Sequence, residues 1–219
     1  MPTRLADQLH YGAAKAACEA ASFEAVGGRL LIARPGLIGG PGDPSDRTSY
    51  WPTRFALAAR QPVLIPEAPN QYAQVIDVRD LAGWLLSAGK ARVSGSFNAV
   101  GASIPLSEFL AIARTTADNE GAVVSAREHW LRERKVNYWT GPRSLPLWLS
   151  SSQDLAGYNQ RDDRAFMETG GVRRTVAATL QDTLETERAN GLDRPLNAGL
   201  TRFQEVELIR DLQHQGPLR

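Results

Sequence analysis

A chain of 219 residues is long enough to bury the core of one ordinary domain. Its 25 basic and 24 acidic residues leave a formal charge of +1, which excludes the electrostatic footprint of a nucleic-acid binder or a membrane-surface patch. A single cysteine excludes an internal disulfide, and His10, His129 and His214 are scattered without metal-ligand spacing, so no metal site is expected. No run approaches the length of a membrane span, and Arg4, Asp7 and Lys15 interrupt any signal-like apolar stretch, which makes cytoplasm the expected location.

In chain order, an Ala-rich helix is predicted near residues 9 to 24, with Cys18 as a small core residue on it. This helix carries Tyr11 and Lys15, four apart and hence one turn above the other on a single face. A cation beside a phenol favours phenolate, and lowering a pKa of about 10 by roughly three units makes tyrosine a usable acid/base near neutrality. A solvated Tyr–Lys pair is the bland alternative, weakened by the presence of three lysines in the whole chain. Arg29 to Arg34 reads as a buried parallel strand, and Pro35-Gly36 ends it in a Gly/Pro-rich loop over Leu37 to Pro44. Ligands of doubly wound sheets sit where such loops leave the carboxyl ends of strands.

A helix near 48 to 60 follows, then short strands at Val63–Ile65 and Ala73–Val78 and a helix through Leu81, Trp84 and Leu85. Asp77, Arg79 and Asp80 suit the strand-to-helix junction, with Asp80 as cap. Gly95–Val100 reads as a strand, Pro105 as the first turn of a helix through Phe109 and Ile112, Gly121–Ser125 as a strand and 126–134 as a helix. Residues 136–157 are loop-rich, with Trp139 and Trp148 as core anchors or pocket walls. Val172, Val176, Leu180 and Leu184 recur every fourth residue, and Thr201 with Gln204 forms a candidate capping box for the last helix.

Three blocks in this order carry a resemblance: Tyr11-Gly-Ala-Ala-Lys15, Arg34-Pro-Gly-Leu-Ile-Gly-Gly-Pro-Gly-Asp43 and Val75-Ile-Asp-Val-Arg-Asp-Leu-Ala82. Together they resemble the extended short-chain dehydrogenase/reductases, the NAD-dependent epimerase/dehydratase family, and Gly171-Val-Arg-Arg-Thr175 is similar to its reductase-like members. The resemblance implies an α/β chain, the C-terminal part of a Rossmann-like NAD(P)-binding fold plus a smaller α/β substrate lobe. Residues 1–45 would be the remnant of the Rossmann domain and 46–219 mainly the substrate lobe. That family opens with a Gly-rich turn whose amides hold the dinucleotide pyrophosphate. Ten residues before Tyr11 leave no room for it or for the upstream catalytic Ser or Thr, so the chain is expected to be a truncated member.

By the same resemblance, Tyr11 and Lys15 are the catalytic pair and also bind cofactor, Lys15 through the ribose hydroxyls. The Pro35, Gly36, Leu37 and Ile38 backbone would face the nicotinamide of NAD or NADP, the choice between the two being unreadable. The implied function is an NAD(P)-dependent oxidoreductase or epimerase acting on a small-molecule carbonyl or hydroxyl. The alternative is a non-catalytic binding or interaction remnant. Ala73 stands where sugar-nucleotide members carry a phosphate-binding Arg, which argues against a nucleotide-sugar substrate. Arg47, Tyr50, Trp51 and Arg54 are the substrate-binding candidates for an anionic or aromatic small molecule, surface placement being the alternative. The expected partners are a small-molecule substrate and, through uncovered strand edges, a second copy of the chain, with neither nucleic acid nor membrane.

Overall fold

The computed structural model describes residues 4–152, 155 and 157–214, and of 4–10 the backbone alone. Residues 1–3 of the expected 1–45 unit, and 153, 154 and 156 of the expected 136–157 loop, lie outside the described residues. A helix α1 (Arg4–Val26) leads through a single 3-10 turn into β1 (Leu31–Ala33) and β2 (Leu37–Gly39), then α2 (Tyr50–Ala58). β3 (Val63–Pro66), β4 (Tyr72–Asp77), α3 (Val78–Lys90), β5 (Gly95–Phe97), β6 (Ser103–Pro105) and α4 (Leu106–Thr116) follow. The chain ends with β7 (Val123–Ala126), α5 (Glu128–Glu133), β8 (Asn137–Trp139), β9 (Ser144–Pro146), α6 (Arg164–Glu168), α7 (Val176–Asn190) and α8 (Arg202–His214).

The pairing is that of an α/β protein with mainly parallel strands. β1 pairs with β5, β2 with β4, β3 with β7 and β8 with β9, all parallel, and β6 adds antiparallel to the other edge of β4. Parallel neighbours need a crossover connection to return the chain, and the one from β2 to β4 runs through α2. β4 stands at the junction of two apolar clusters. Ala73 and Val75 pack into the larger, with Trp51, Phe55, Phe109, Trp130, Trp148, Leu180 and Leu208, while Ile76 packs into the smaller. In that smaller cluster Trp84 meets Phe97 and Phe166 edge-on, at ring-centroid distances of 5.6 and 5.0 Å, an arrangement that aromatic quadrupoles favour.

Several expectations are corrected. Leu37–Gly39 is a strand in register with Val75–Asp77, not loop, because its alternate residues are buried against β4 and Gly39 admits Thr48 and Val75 where a Cβ would stand 2.6 and 2.7 Å from them. Gly36, Gly39 and Gly42 have the G-x-x-G-x-x-G spacing, yet the next helix begins only at Tyr50. No helix N-terminus follows them as the phosphate-binding turn requires. The cap of α3 is Asp77, whose carboxylate accepts from Arg79 N at 2.9 Å. Asp80 instead accepts from the backbone N and Nε of Arg174, at 2.8 and 2.9 Å, and so holds the segment entering α7. Pro105 ends β6 rather than opening α4. Val172 is exposed and lies ahead of α7. Cys18 is exposed, as are the alanines around it, because residues 11–26 of α1 lie outside both apolar clusters.

At the other end, Thr201 and Gln204 make the reciprocal capping box. Thr201 N donates to Gln204 Oε1 at 3.0 Å and Gln204 N to Thr201 Oγ1 at 3.2 Å. Glu205, fully buried in the next turn, accepts from Leu64 N of β3 at 3.0 Å and lies 3.0 Å from Arg54 Nε and 2.6 Å from Arg202 Nη1. This one carboxylate ties α8 to β3 and α2.

Candidate active site

Two adjoining hollows flank the point where β1 hands over to β2. The first, about 360 Å³, is lined by Leu37, Gln74, Trp139, Tyr158 and Arg161, with Asn159 in its wall. The second, about 400 Å³, is lined by Ile38, Gly40, Asp43, Ser45 and, from the start of α3, Val78. Tyr11, Pro35, Gly36 and Arg47 line both. Three separate stretches of sequence thus meet at one boundary, and it lies at the ends of parallel strands.

Each wall is built by local chemistry. Tyr11 projects from α1 with 64 % of its surface exposed, and the Lys15 ammonium sits over its ring at 5.6 Å from the centroid. That is within cation–π range and fixes the pair on one helical face. Glu19, one turn further on, accepts from Arg34 Nε and Nη2 at 2.9 and 2.5 Å, which ties α1 to the end of β1. The Glu19 carboxyl is held below the usual carboxylate range, chiefly by these hydrogen bonds.

The loop after β2 is organised by Asp43. Its Oδ1 accepts from Ser45 N and Oγ at 2.8 and 2.6 Å, and its Oδ2 from Thr48 N at 3.1 Å, so the carboxylate acts as an internal turn template. Ser45 Oγ in turn accepts from Arg47 Nε at 3.0 Å, and the Arg47 guanidinium stacks over Trp139 at 5.4 Å. Across the first hollow, buried Gln74 on β4 holds the 159–161 strap. Its amide donates to Arg161 O at 2.9 Å and accepts from Arg161 N at 3.0 Å, while Asn159 Nδ2 donates to Tyr72 O at 2.8 Å. Arg161 lies over Tyr158 at 5.4 Å, and Tyr158 meets Trp139 edge-on at 5.8 Å.

Of the residues singled out from sequence, Tyr11, Pro35, Gly36, Leu37, Ile38 and Arg47 line these hollows, and Lys15 stands against Tyr11. Tyr50, Trp51 and Arg54 do not line them; all three are buried in the core behind. Trp51 Nε1 donates to Pro146 O at 2.8 Å, Arg54 pairs with Glu205, and the Tyr50 hydroxyl, its pKa raised foremost by burial, accepts from Leu200 N at 3.4 Å. They lie on α2, which is buried at every position from Tyr50 to Phe55, so the Tyr-Trp-x-x-Arg run is a packing signal. Sequence reasoning did not single out Gln74, Tyr158, Asn159 and Arg161. Their common signal, polar and aromatic residues on a strap long in sequence from the Tyr helix, exists only once β4 and the strap are brought together.

No protein-family model matches the chain, and no curated protein matches it by sequence. Among solved structures it is similar to UDP-N-acetylglucosamine 4-epimerase from Bacillus cereus, with a TM-score of 0.51 and 15% identity over 86% of this chain and 56% of that one. It is similar also to RMD from Pseudomonas aeruginosa, solved with NADPH, with a TM-score of 0.50 and 15% identity over 78% of this chain and 52% of that one. The chain therefore spans about half the length of the solved structures it resembles. At this identity the likeness speaks to fold: a Rossmann-like α/β arrangement of the kind found in these enzymes. No helix among the described residues is long and apolar enough to cross a membrane, and no cluster of His, Cys, Asp or Glu among them could hold a metal ion.

Proposed function

We propose that this chain carries the catalytic and substrate side of a nicotinamide-dependent oxidoreductase or epimerase acting on a small-molecule carbonyl or hydroxyl. One observation carries the reading: Tyr11 stands on the boundary shared by the two hollows, with Lys15 against its ring. An acid/base group serving a redox step at carbon must reach the substrate oxygen while the electron carrier lies beside the same carbon.

The residues present fit one end of such a cofactor. The second hollow is walled by backbone at Pro35, Gly36, Gly39 and Gly40, with little side-chain bulk, and opens beside Tyr11. A flat ring with a ribose suits it. When bound there, a nicotinamide supplies a two-electron exchange with the substrate carbon. Tyr11 would hold or give up the proton at the substrate oxygen, and Lys15, over its ring, would donate to ribose hydroxyls. Arg47 and Trp139 would position the substrate from the other side. Among the described residues, the Gly36, Gly39 and Gly42 run leads into no helix N-terminus that would hold the pyrophosphate next to the adenosine half.

The test is a titration followed by amide NMR on the 219-residue chain. Reduced nicotinamide mononucleotide should shift Gly36, Ile38, Gly40 and the Tyr11–Lys15 turn, and NADH should bind no more than a few-fold tighter, because its adenosine half gains no contacts. Shifts confined to other surfaces, or NADH binding at micromolar or better, about −8 kcal/mol, would overturn the assignment.

A further inference from the structure

The first hollow shows what kind of molecule it takes. Arg47 and Arg161 both line it, and neither has a carboxylate within ion-pair distance among the described residues. The Arg47 Nε is spent on Ser45 Oγ and its plane on Trp139; Arg161 rests its plane on Tyr158. The outer nitrogens of both guanidiniums carry no hydrogen bond among the described residues, although most other arginines of the chain are paired. Stacking fixes each fork while leaving its edge free, the state in which arginine binds a carboxylate or phosphate with the least loss of rotamer freedom. Trp139 and Tyr158, packed edge-on against each other, supply the apolar part of the lining.

Building on the reading of Tyr11 as the acid/base, we infer that the substrate of this site is a small planar oxo or hydroxy acid. Its carboxylate lies between Arg47 and Arg161, its apolar body against Trp139 and Tyr158, and its carbonyl or hydroxyl oxygen toward Tyr11. The size of the hollow, about 360 Å³, suits an aryl 2-oxo acid and is small for a nucleotide sugar. Ala73, fully buried in β4, offers no cation to a diphosphate from that strand.

The probe is benzoylformate, titrated into the full chain without cofactor and read by the Trp139 indole N–H resonance and by calorimetry. Its methyl ester keeps shape and carbonyl but removes the charge. The acid should bind at least tenfold tighter than the ester, and Arg47→Gln and Arg161→Gln should each weaken the acid about tenfold while leaving the ester unchanged. Arg60→Gln, at an exposed pair with Glu120, should change neither. Circular dichroism of each variant checks that the fold persists, and the half-exposed Trp139 reports the site even where affinity is low. Equal binding of acid and ester, or Arg variants that bind the acid as wild type does, would overturn the inference. UDP binding tenfold tighter than benzoylformate would overturn it in favour of a nucleotide ligand. The acid titration needs no nicotinamide, and Arg161 lines the first hollow alone, so Arg161→Gln should weaken the acid and leave the mononucleotide unchanged, and the two readings fail separately.

Discussion

At the residue scale, the strongest constraint on the site's foundation is Asp77. Burial alone would raise its pKa, yet the carboxyl is held below its usual 3.8 by hydrogen bonds from Arg79 side chain and backbone and from Thr179, with Arg174 nearby. A carboxyl whose pKa is depressed in the folded state contributes stability above its unfolded pKa and loses it as pH falls through the folded one. Stability is therefore expected to be flat above about pH 5 and to fall below pH 4. Asp77→Asn should flatten that acid limb and cost about 1–2 kcal/mol at neutral pH, since Arg79 and Arg174 are partly exposed and keep Asp182 and Asp80. Urea denaturation from pH 2.5 to 7 measures both effects. An unchanged acid limb in the variant would show that other carboxyls govern it.

This junction also shows what a sequence can and cannot reveal. Val75-Ile-Asp-Val-Arg-Asp announces a strand running into a capped helix, and both form. Which of two aspartates caps, however, depends on where the backbone turns, and Asp80 is taken by Arg174, 94 residues away. Tyr11 and Lys15 were legible because their relation is local, one helical turn. Arg161 and Tyr158 were not, because their strap is brought to the hollow by Gln74 and by the Asn159 bond to Tyr72, both across 87 residues.

At the element scale, helices with apolar periodicity were readable and short strands less so. Leu37–Gly39 looks like loop because Pro35-Gly36 precede it and Gly40-Pro41 follow it, and its strand character comes from pairing with Val75–Asp77. The Tyr50-Trp51-x-x-Arg54 run looks like a binding face for the opposite reason. Polar and aromatic residues on one short helix suggest a surface, whereas Glu205 from the far end of the chain neutralises Arg54 and permits its burial. Glu205→Gln removes that compensation from Arg54 and Arg202 together, and a loss of about 3–5 kcal/mol in stability is expected, seen as a fall of the chemical-denaturation midpoint. Thr201→Ala, one turn earlier, should cost only about 1 kcal/mol, the usual value of a cap. Similar losses for the two variants would show that Glu205 acts as a cap partner rather than as the counter-ion of a buried pair.

At the scale of the whole molecule, residues 11–26 of α1 stand apart from the two apolar clusters. Its side chains from Tyr11 onward are exposed but for the partly covered Glu19, and Glu19 to Arg34 is an exposed pair that salt screens. Helices in proteins draw most of their stability from packing a face against the core, and residues 11–26 of α1 have no such face buried. Amide hydrogen exchange along α1 should therefore be far faster than in α2 or α4, and faster again in high salt or with Arg34→Gln. Reduced nicotinamide mononucleotide should slow it, because the ligand bridges Tyr11 to the Pro35–Ile38 backbone. Protection of α1 equal to that of α4 in the free chain would mean that a covering surface holds it, and a second copy of the chain is the covering surface to examine by sedimentation.

The central claim is that Tyr11, on the border of two hollows, moves the proton for chemistry at a small carbonyl. The most direct measurement is the rate at which reduced nicotinamide mononucleotide is consumed with a panel of small 2-oxo acids and aldehydes, in wild type and Tyr11→Phe. A positioned acid/base is worth about 10²–10⁴ in rate, so at least one carbonyl compound should be reduced faster than in buffer, with Tyr11→Phe losing about 100-fold or more of that rate at unchanged fold. A Tyr11→Phe chain that reduces the same compound at the wild-type rate, or a wild-type chain that reduces none of them, would contradict the account.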